Sequence, residues 1–241
     1  MMIAVFDGGF MNVDKIPALH GIKLAGIKDF VVPKSDNIFS EMEHGTMVLS
    51  TMAANEPGVY MGIAPEAEYL LVRCEDERTE SLAEEDYWAE AAEYADSCGV
   101  DVINSSLGYH AFDDSSTDHQ YWEQDGNTAL ISRTASMCAD KGIVCVNSAG
   151  NDGMGSWKKI NFPADARDIL TVGSINEQGM NAAFSAVKSV PVPPTRQKCM
   201  DAILSDENAD FVKIAEKYAF HKSTAQKAKS LLKRAVRKII K

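Results

Sequence analysis

Short apolar runs alternate along this chain with stretches of helical spacing, and most are closed by a glycine, a proline or an acidic residue. Residues 2–6 (Met-Ile-Ala-Val-Phe) end at Asp7-Gly8-Gly9, which predicts a buried strand followed by a tight turn. Residues 30–32 predict a second strand, stopped by Pro33. From His44 to Ala54 the spacing is helical, with Val48, Leu49 and Met52 on the inner face. Residues 69–74 (Tyr-Leu-Leu-Val-Arg-Cys) predict another strand. The clearest helix covers residues 81–98. Ser81 and Glu84 form a Ser-x-x-Glu capping box, Trp88, Ala91, Ala92 and Ala95 recur at helical spacing, and Gly99 supplies the stop. A strand at 100–104, a helix at about 128–141 ended by Gly142, and strands at 143–147 and 169–172 complete the series.

Strands that alternate with helices predict an α/β domain, a mostly parallel sheet with helices on both faces. In such sheets functional residues gather beyond the carboxyl ends of the strands. Asp7, Ser106 and Asn151 all fall at or just after predicted strand ends.

Composition adds a boundary. The whole chain carries a net charge of −11, but residues 186–241 hold 13 Lys+Arg against 5 Asp+Glu, a net of +8. Residues 1–185 hold 11 against 30, a net of −19. The break predicts a first unit at 1–185, a linker at 186–204 that contains Val190-Pro191-Val192-Pro193-Pro194, and a basic helical tail at 205–241. In the tail, helical spacing runs from Ser205 to Tyr218 and again from Ser223 to about Ile240. Helix, short turn and basic helix resemble a helix-turn-helix unit, so nucleic acid is a candidate partner. No apolar run approaches the roughly 18 residues needed to cross a membrane, so no membrane partner is expected. The start of the chain lacks the basic opening and cleavage site of a signal peptide, which implies a cytosolic chain or one cut from a longer secreted precursor. The five cysteines, Cys74, Cys98, Cys138, Cys145 and Cys199, include no Cys-x-x-Cys pair and read as small buried hydrophobes.

The candidate chemistry lies in the order of short motifs. The chain reads Asp7-Gly8-Gly9, His44-Gly45-Thr46, Asn104-Ser105-Ser106-Leu107-Gly108, then Ser148-Ala149-Gly150-Asn151-Asp152-Gly153. Phe162-Pro163-Ala164, residues 169–173 (Ile-Leu-Thr-Val-Gly) and Ala183-Phe184-Ser185 follow. Each piece alone is common, but in this order they resemble the subtilisin-like serine peptidases, or subtilases, over roughly residues 2–185. The resemblance implies a subtilisin-like fold, C-terminally incomplete, and an extended peptide or protein as substrate. It makes Asp7 the aspartate that orients the histidine, His44 the general base, and Asn151 the side-chain donor to the oxyanion. Ser106, Leu107 and Gly108 become the segment whose backbone pairs with substrate. No cofactor is expected. The family often binds calcium, yet Asp36, Asp113 and Asp114 form no recognisable calcium loop. Residues 75–85 and 113–125 read as acidic, solvated stretches. The second also holds His119, Tyr121 and Trp122, and its position after Gly108 puts it at the border of the cleft.

Two positions depart from the family pattern. Gly8 stands where Ser or Thr is usual. More seriously, the Gly-Thr-Ser-x-Ala nucleophile motif is absent. The nearest candidate is Ser223, in His221-Lys222-Ser223-Thr224-Ala225, without the Gly-Thr before it or the Pro after it, and an ordinary helix cap explains it as well. Three readings follow: a peptidase domain inactive as this chain, a non-catalytic peptide-binding protein, or a truncated or frame-shifted product.

Overall fold

The computed structural model describes residues 1–35, 37–176 and 179–186. Its elements run β1 (Met2–Asp7), β2 (Lys23–Asp29), α1 (His44–Ala53), β3 (Asn55–Glu56), β4 (Tyr60–Met61) and β5 (Glu68–Arg73). They continue with α2 (Ala83–Cys98), β6 (Val102–Ser105), α3 (Leu130–Asp140), β7 (Val144–Ser148) and β8 (Leu170–Val172). Six strands form one sheet in the order β2-β5-β1-β6-β7-β8, parallel throughout. The expected α/β architecture is present. The small antiparallel pair β3–β4 turns at Pro57-Gly58, a signal the apolar pattern passes over.

Residues 2–6 of β1 and 69–72 of β5 are apolar at every position because both faces of the sheet are covered. Ile3, Val5, Tyr69 and Leu71 point to one face, where Leu49 and Ala53 of α1 meet them. Ala4, Phe6, Leu70 and Val72 point to the other, against Trp88, Ala91, Ala92 and Ala95 of α2 and Ile131 and Ala135 of α3. Trp88 fastens α2 to the sheet. Its ring meets Phe6 edge-on at 5.4 Å, and its indole N–H donates to Ser105 Oγ at 3.1 Å. Gly99 ends α2 with φ 77°, the left-handed conformation that suits glycine.

The expected strand at 30–32 is instead a turn, and the strand lies one step earlier, at Lys23–Asp29. Asp29 ends it: its Oδ1 accepts from the backbone N–H of Val31 (2.9 Å) and Val32 (2.8 Å), bending the chain away from the ladder. In α1 the buried positions are Gly45, Thr46, Leu49 and Ala53, while Val48 and Met52 are only partly covered. Cys74, Cys138 and Cys145 are buried and Cys98 half-buried, all as free thiols; Cys199 lies outside the described residues.

The 75–85 stretch is not uniformly solvated. Glu84 and Glu85 are buried at the start of α2. Glu85 accepts from the Ile131 N–H at 3.2 Å and pairs with His119 at 2.5 Å. Burial pushes the Glu84 carboxyl up to about 8. The folded chain therefore keeps a proton that the unfolded chain releases near its ordinary carboxylate value. Stability contributed by that proton is present at low pH and is lost as pH rises from about 4.5 through 8. Glu84→Gln is expected to flatten this slope and to stabilise the chain at pH 8 by on the order of 2 kcal/mol, read from urea melts at pH 5 and pH 8. Equal slopes in the two proteins would overturn the assignment.

The connections position the site. From β1 the chain crosses to β2 on one side, and from β6 it moves to β7 on the other. The carboxyl ends of β1 and β6 thus flank a topological switch point, the crevice where ligands bind in open α/β sheets. The register sets Phe6 beside Ser105 and Ser105 beside Asn147, so Asp7, Ser106 and Ser148 emerge side by side at that rim.

Candidate active site

Asp7 closes β1 with its side chain 0 % exposed. Its Oδ1 accepts from the Gly8 N–H at 2.9 Å, a turn that holds the carboxylate in place. Behind the turn, Arg73 Nε donates to the Gly8 carbonyl at 2.9 Å.

His44 opens α1, and its Nδ1 lies 2.9 Å from both oxygens of Asp7. A carboxylate only accepts, so Nδ1 carries the proton and Nε2 keeps its lone pair. The two flanking residues have separate tasks. At Gly45 a Cβ would come 2.3 Å from the Gly9 carbonyl oxygen and 2.8 Å from Asp7 Cβ, so only glycine lets the helix start approach β1 this closely. Thr46 Oγ1 donates to the Met11 carbonyl at 2.8 Å and pins the first turn of the helix. The hydrogen bond to Asp7 holds the His44 imidazole above its ordinary pKa. Burial opposes that effect, and the charges of Asp7, Glu75 and Glu77 reinforce it.

His44 lines a pocket of about 280 Å³ together with Ser106, Leu107, Gly108 and Asn151. The structure therefore brings five sequence-predicted positions to one cavity, with Asp7 directly behind His44. Among the described residues the backbone N–H groups of Ser106, Leu107 and Gly108 have no hydrogen-bond partner. Asn147 Nδ2 donates to the Leu107 carbonyl at 3.1 Å, which ties this segment to β7 while leaving its edge open. Asn151 is exposed after β7, and its side chain makes no hydrogen bond among the described residues. A second pocket, of about 270 Å³, adjoins the first and shares Ser106, Ser148, Gly150 and Asn151 with it, so Asn151 stands between the two.

Ser223, the 186–204 linker and the basic tail with its helix-turn-helix resemblance lie outside the described residues, as does Asp36. Residues 113–125 do not line the His44 pocket. His119 is drawn inward between Glu85 and the Phe162 ring (centroids 4.3 Å apart), and Tyr121 packs on Trp157. Asp113 and Asp114 have local partners. Their oxygens cap local turns at Glu80 and Ser116, and among the described residues no three acidic, His or Cys side chains converge as metal ligands. Nor is any helix among them long and apolar enough to cross a membrane.

Several residues of the site escaped the sequence reading. Glu75 lines the pocket, and its carboxyl is pushed up to about 7 by burial and then by the charge of Asp7. Gly8 makes room for it: a Cβ there would lie 2.9 Å from Glu75 Oε2. Asp152 and Asn161 line the same pocket. A charged residue inside an apolar run was the available signal for Arg73. Asp152 lay within the Ala-Gly-Asn motif, and nothing in the sequence pointed to Asn161.

Comparison with known proteins bears on the family and the fold. The family model described as "Subtilase family" matches residues 2–201. Subtilisin DY of Bacillus licheniformis is 33% identical over 178 residues, covering 71% of this chain and 57% of that protein. A thermophilic serine proteinase of Bacillus sp. (strain AK1) is 32% identical over 189 residues, covering 76% of this chain and 40% of the relative. The chain thus spans little more than half of one relative and less than half of the other. Among solved structures, a mutant of the protease domain of PatA superposes with a TM-score of 0.58 at 25% identity, covering 78% of this chain and 62% of that one. MycP1 shares the fold with a TM-score of 0.57 at 22% identity, over 78% of this chain and 61% of that one.

Proposed function

The chain belongs to the subtilase family, and from that premise we propose that residues 1–185 form a subtilisin-type serine endopeptidase domain that holds an extended peptide at the His44 pocket. One observation carries the reading. His44 Nδ1 sits 2.9 Å from both oxygens of a fully buried Asp7, while the ring faces the pocket lined by Ser106, Leu107, Gly108 and Asn151. A peptide adds as a strand to the free N–H groups of residues 106–108. Neutral His44 takes the proton of an attacking serine hydroxyl at Nε2, and Asp7 stabilises the imidazolium that results. The Asn151 amide donates to the oxyanion as the carbonyl carbon becomes tetrahedral, and the acyl group then passes to water.

The serine itself is the gap. The 241 residues contain no Gly-Thr-Ser, and Ser223 lacks the context of the family nucleophile. We therefore assign this chain, taken alone, to peptide binding with little or no hydrolysis. The charge excess after residue 185 supports a separate role for the tail toward a polyanion such as nucleic acid.

The test is an NMR titration of the His44 ring. The expected His44 pKa lies above 6.5 in the wild type and falls in Asp7→Asn, because the hydrogen bond to Asp7 does most to raise it. An added extended peptide is expected to shift the His44 resonances. A His44 that titrates like a free histidine and ignores both Asp7 and peptide would sink the reading.

A further inference from the structure

The lining of the His44 pocket includes a side chain with a polar atom that nothing among the described residues satisfies. Asn161 is 5% exposed, and its Nδ2 donates to Asp152 Oδ2 at 2.8 Å and reaches toward the Gly108 carbonyl at 3.5 Å. Because Asp152 offers only acceptors, the amide cannot be turned round, and the buried Oδ1 is left without a partner. A buried carbonyl without a donor is costly, and most are paired in folded proteins. The side chain is fixed in place by its neighbours. A Cβ on Gly108 would come 2.9 Å from Asn161 Cβ, and one on Gly150 would come 2.8 Å from its Cγ. Asn161 is thus wedged between the backbone that receives substrate and the backbone that carries Asn151.

The wall above it is acidic. Glu75, Glu77 and Asp152 line the pocket, and among the described residues no lysine or arginine does. Nearby cations are committed elsewhere: Arg78 forks onto Asp76 at 2.7 and 2.8 Å, and Arg73 lies buried behind Gly8. The Glu75 carboxylate has neither a hydrogen bond nor an ion pair among the described residues. Asp152 has the Asn161 amide and a more distant contact, His110 Nδ1 at 3.8 Å.

Resting on the peptide-site reading above, we infer that this pocket is the subsite for a basic side chain of the bound peptide, lysine or arginine, held by Glu75 and by the Asp152 carboxylate that Asn161 fixes in place. An acidic side chain would meet three carboxylates. An apolar one would strip water from Glu75 without giving it a partner. A metal ion lacks three converging ligands among the described residues. A guanidinium or ammonium supplies several donors and the opposite charge. The net charge of −19 over residues 1–185 draws such peptides in.

The test is calorimetric binding of blocked hexapeptides to the 241-residue chain. One arginine is walked through the six positions and then replaced by lysine, by glutamine or by citrulline, the neutral isostere of arginine. The expected result is one position at which arginine or lysine binds about tenfold more tightly than citrulline or glutamine, with the preference dropping below threefold in Glu75→Gln and in Asp152→Asn. Equal binding of arginine and citrulline peptides at every position overturns the subsite and leaves the peptide-binding reading intact. A folded chain that binds none of the peptides overturns both.

Discussion

Incubated with a fluorophosphonate probe, the folded 241-residue chain is expected to take no label at any serine, and to hydrolyse peptide substrates about a millionfold more slowly than a complete subtilisin. The probe reacts only with a serine whose proton has somewhere to go. This chain keeps the acceptor, a His44 whose Nε2 is free because Asp7 holds Nδ1, and it keeps Asn151 at the mouth of the pocket. What it lacks is a Gly-Thr-Ser anywhere in its length. The magnitude is the one that belongs to subtilisin, where loss of the serine costs about 2 × 10⁶ in kcat. Mass spectrometry of the treated protein reads the result. An adduct at Ser223 would mean that the tail rebuilds the triad. An adduct at Ser106 or Ser148, which line the pocket, would place the nucleophile within the described domain.

Replacing Arg73 with methionine is expected to cost about 3–5 kcal/mol of stability, a large part of what holds a typical domain together. Arg73 is 3% exposed at the end of β5, directly beside Asp7 in the sheet register. Its Nε holds the Gly8 carbonyl at 2.9 Å, and its Nη1 meets the buried Asp29 carboxylate at 3.2 Å. Glu41 and Asp76 lie slightly farther, at 3.7 and 3.8 Å. Methionine fills the volume but leaves Asp29 as a buried charge without its cation. Lysine keeps a charge, but a single ammonium does not reproduce the fork that reaches Gly8 and Asp29 together. Urea unfolding measures the loss, and the His44 resonances report whether the Asp7-Gly8 turn has moved with it. A loss below about 1 kcal/mol would show that the pair is not what anchors this turn.

Local features were legible and distant partnerships were not. The runs at 2–6 and 69–74 could be read because a strand covered on both faces is apolar at nearly every position, Arg73 being the exception. The α2 stripe of Trp88, Ala91, Ala92 and Ala95 could be read because a helix buries one face at a fixed period. The motif order placed Asp7 and His44 in one site across 37 residues, a distance that periodicity alone does not bridge. The strand expected at 30–32 failed because Asp29, whose side chain caps the N–H groups of Val31 and Val32, ends the ladder where apolar residues continue. Glu84 and Glu85 look like solvent-facing acids in sequence, and Glu85 is buried by partners found only in space, His119 and the N–H of Ile131. Asn161 had no pattern to announce it, since its significance lies in the two glycines that grip it and in the oxygen they leave unpaired.

The seating of Trp88 gives the molecule its own dye. Of the three tryptophans, Trp122 is 76% exposed and Trp157 lies partly covered near the surface, whereas Trp88 is sealed between Phe6 and Ser105. Those two neighbours immediately precede Asp7 and Ser106 in the chain. With Trp122 and Trp157 changed to phenylalanine, the remaining emission comes from an indole whose contacts adjoin both the acid and the substrate edge. Its colour and lifetime then follow, without any label, whether the rim of the sheet is dry and closed or wet and opening.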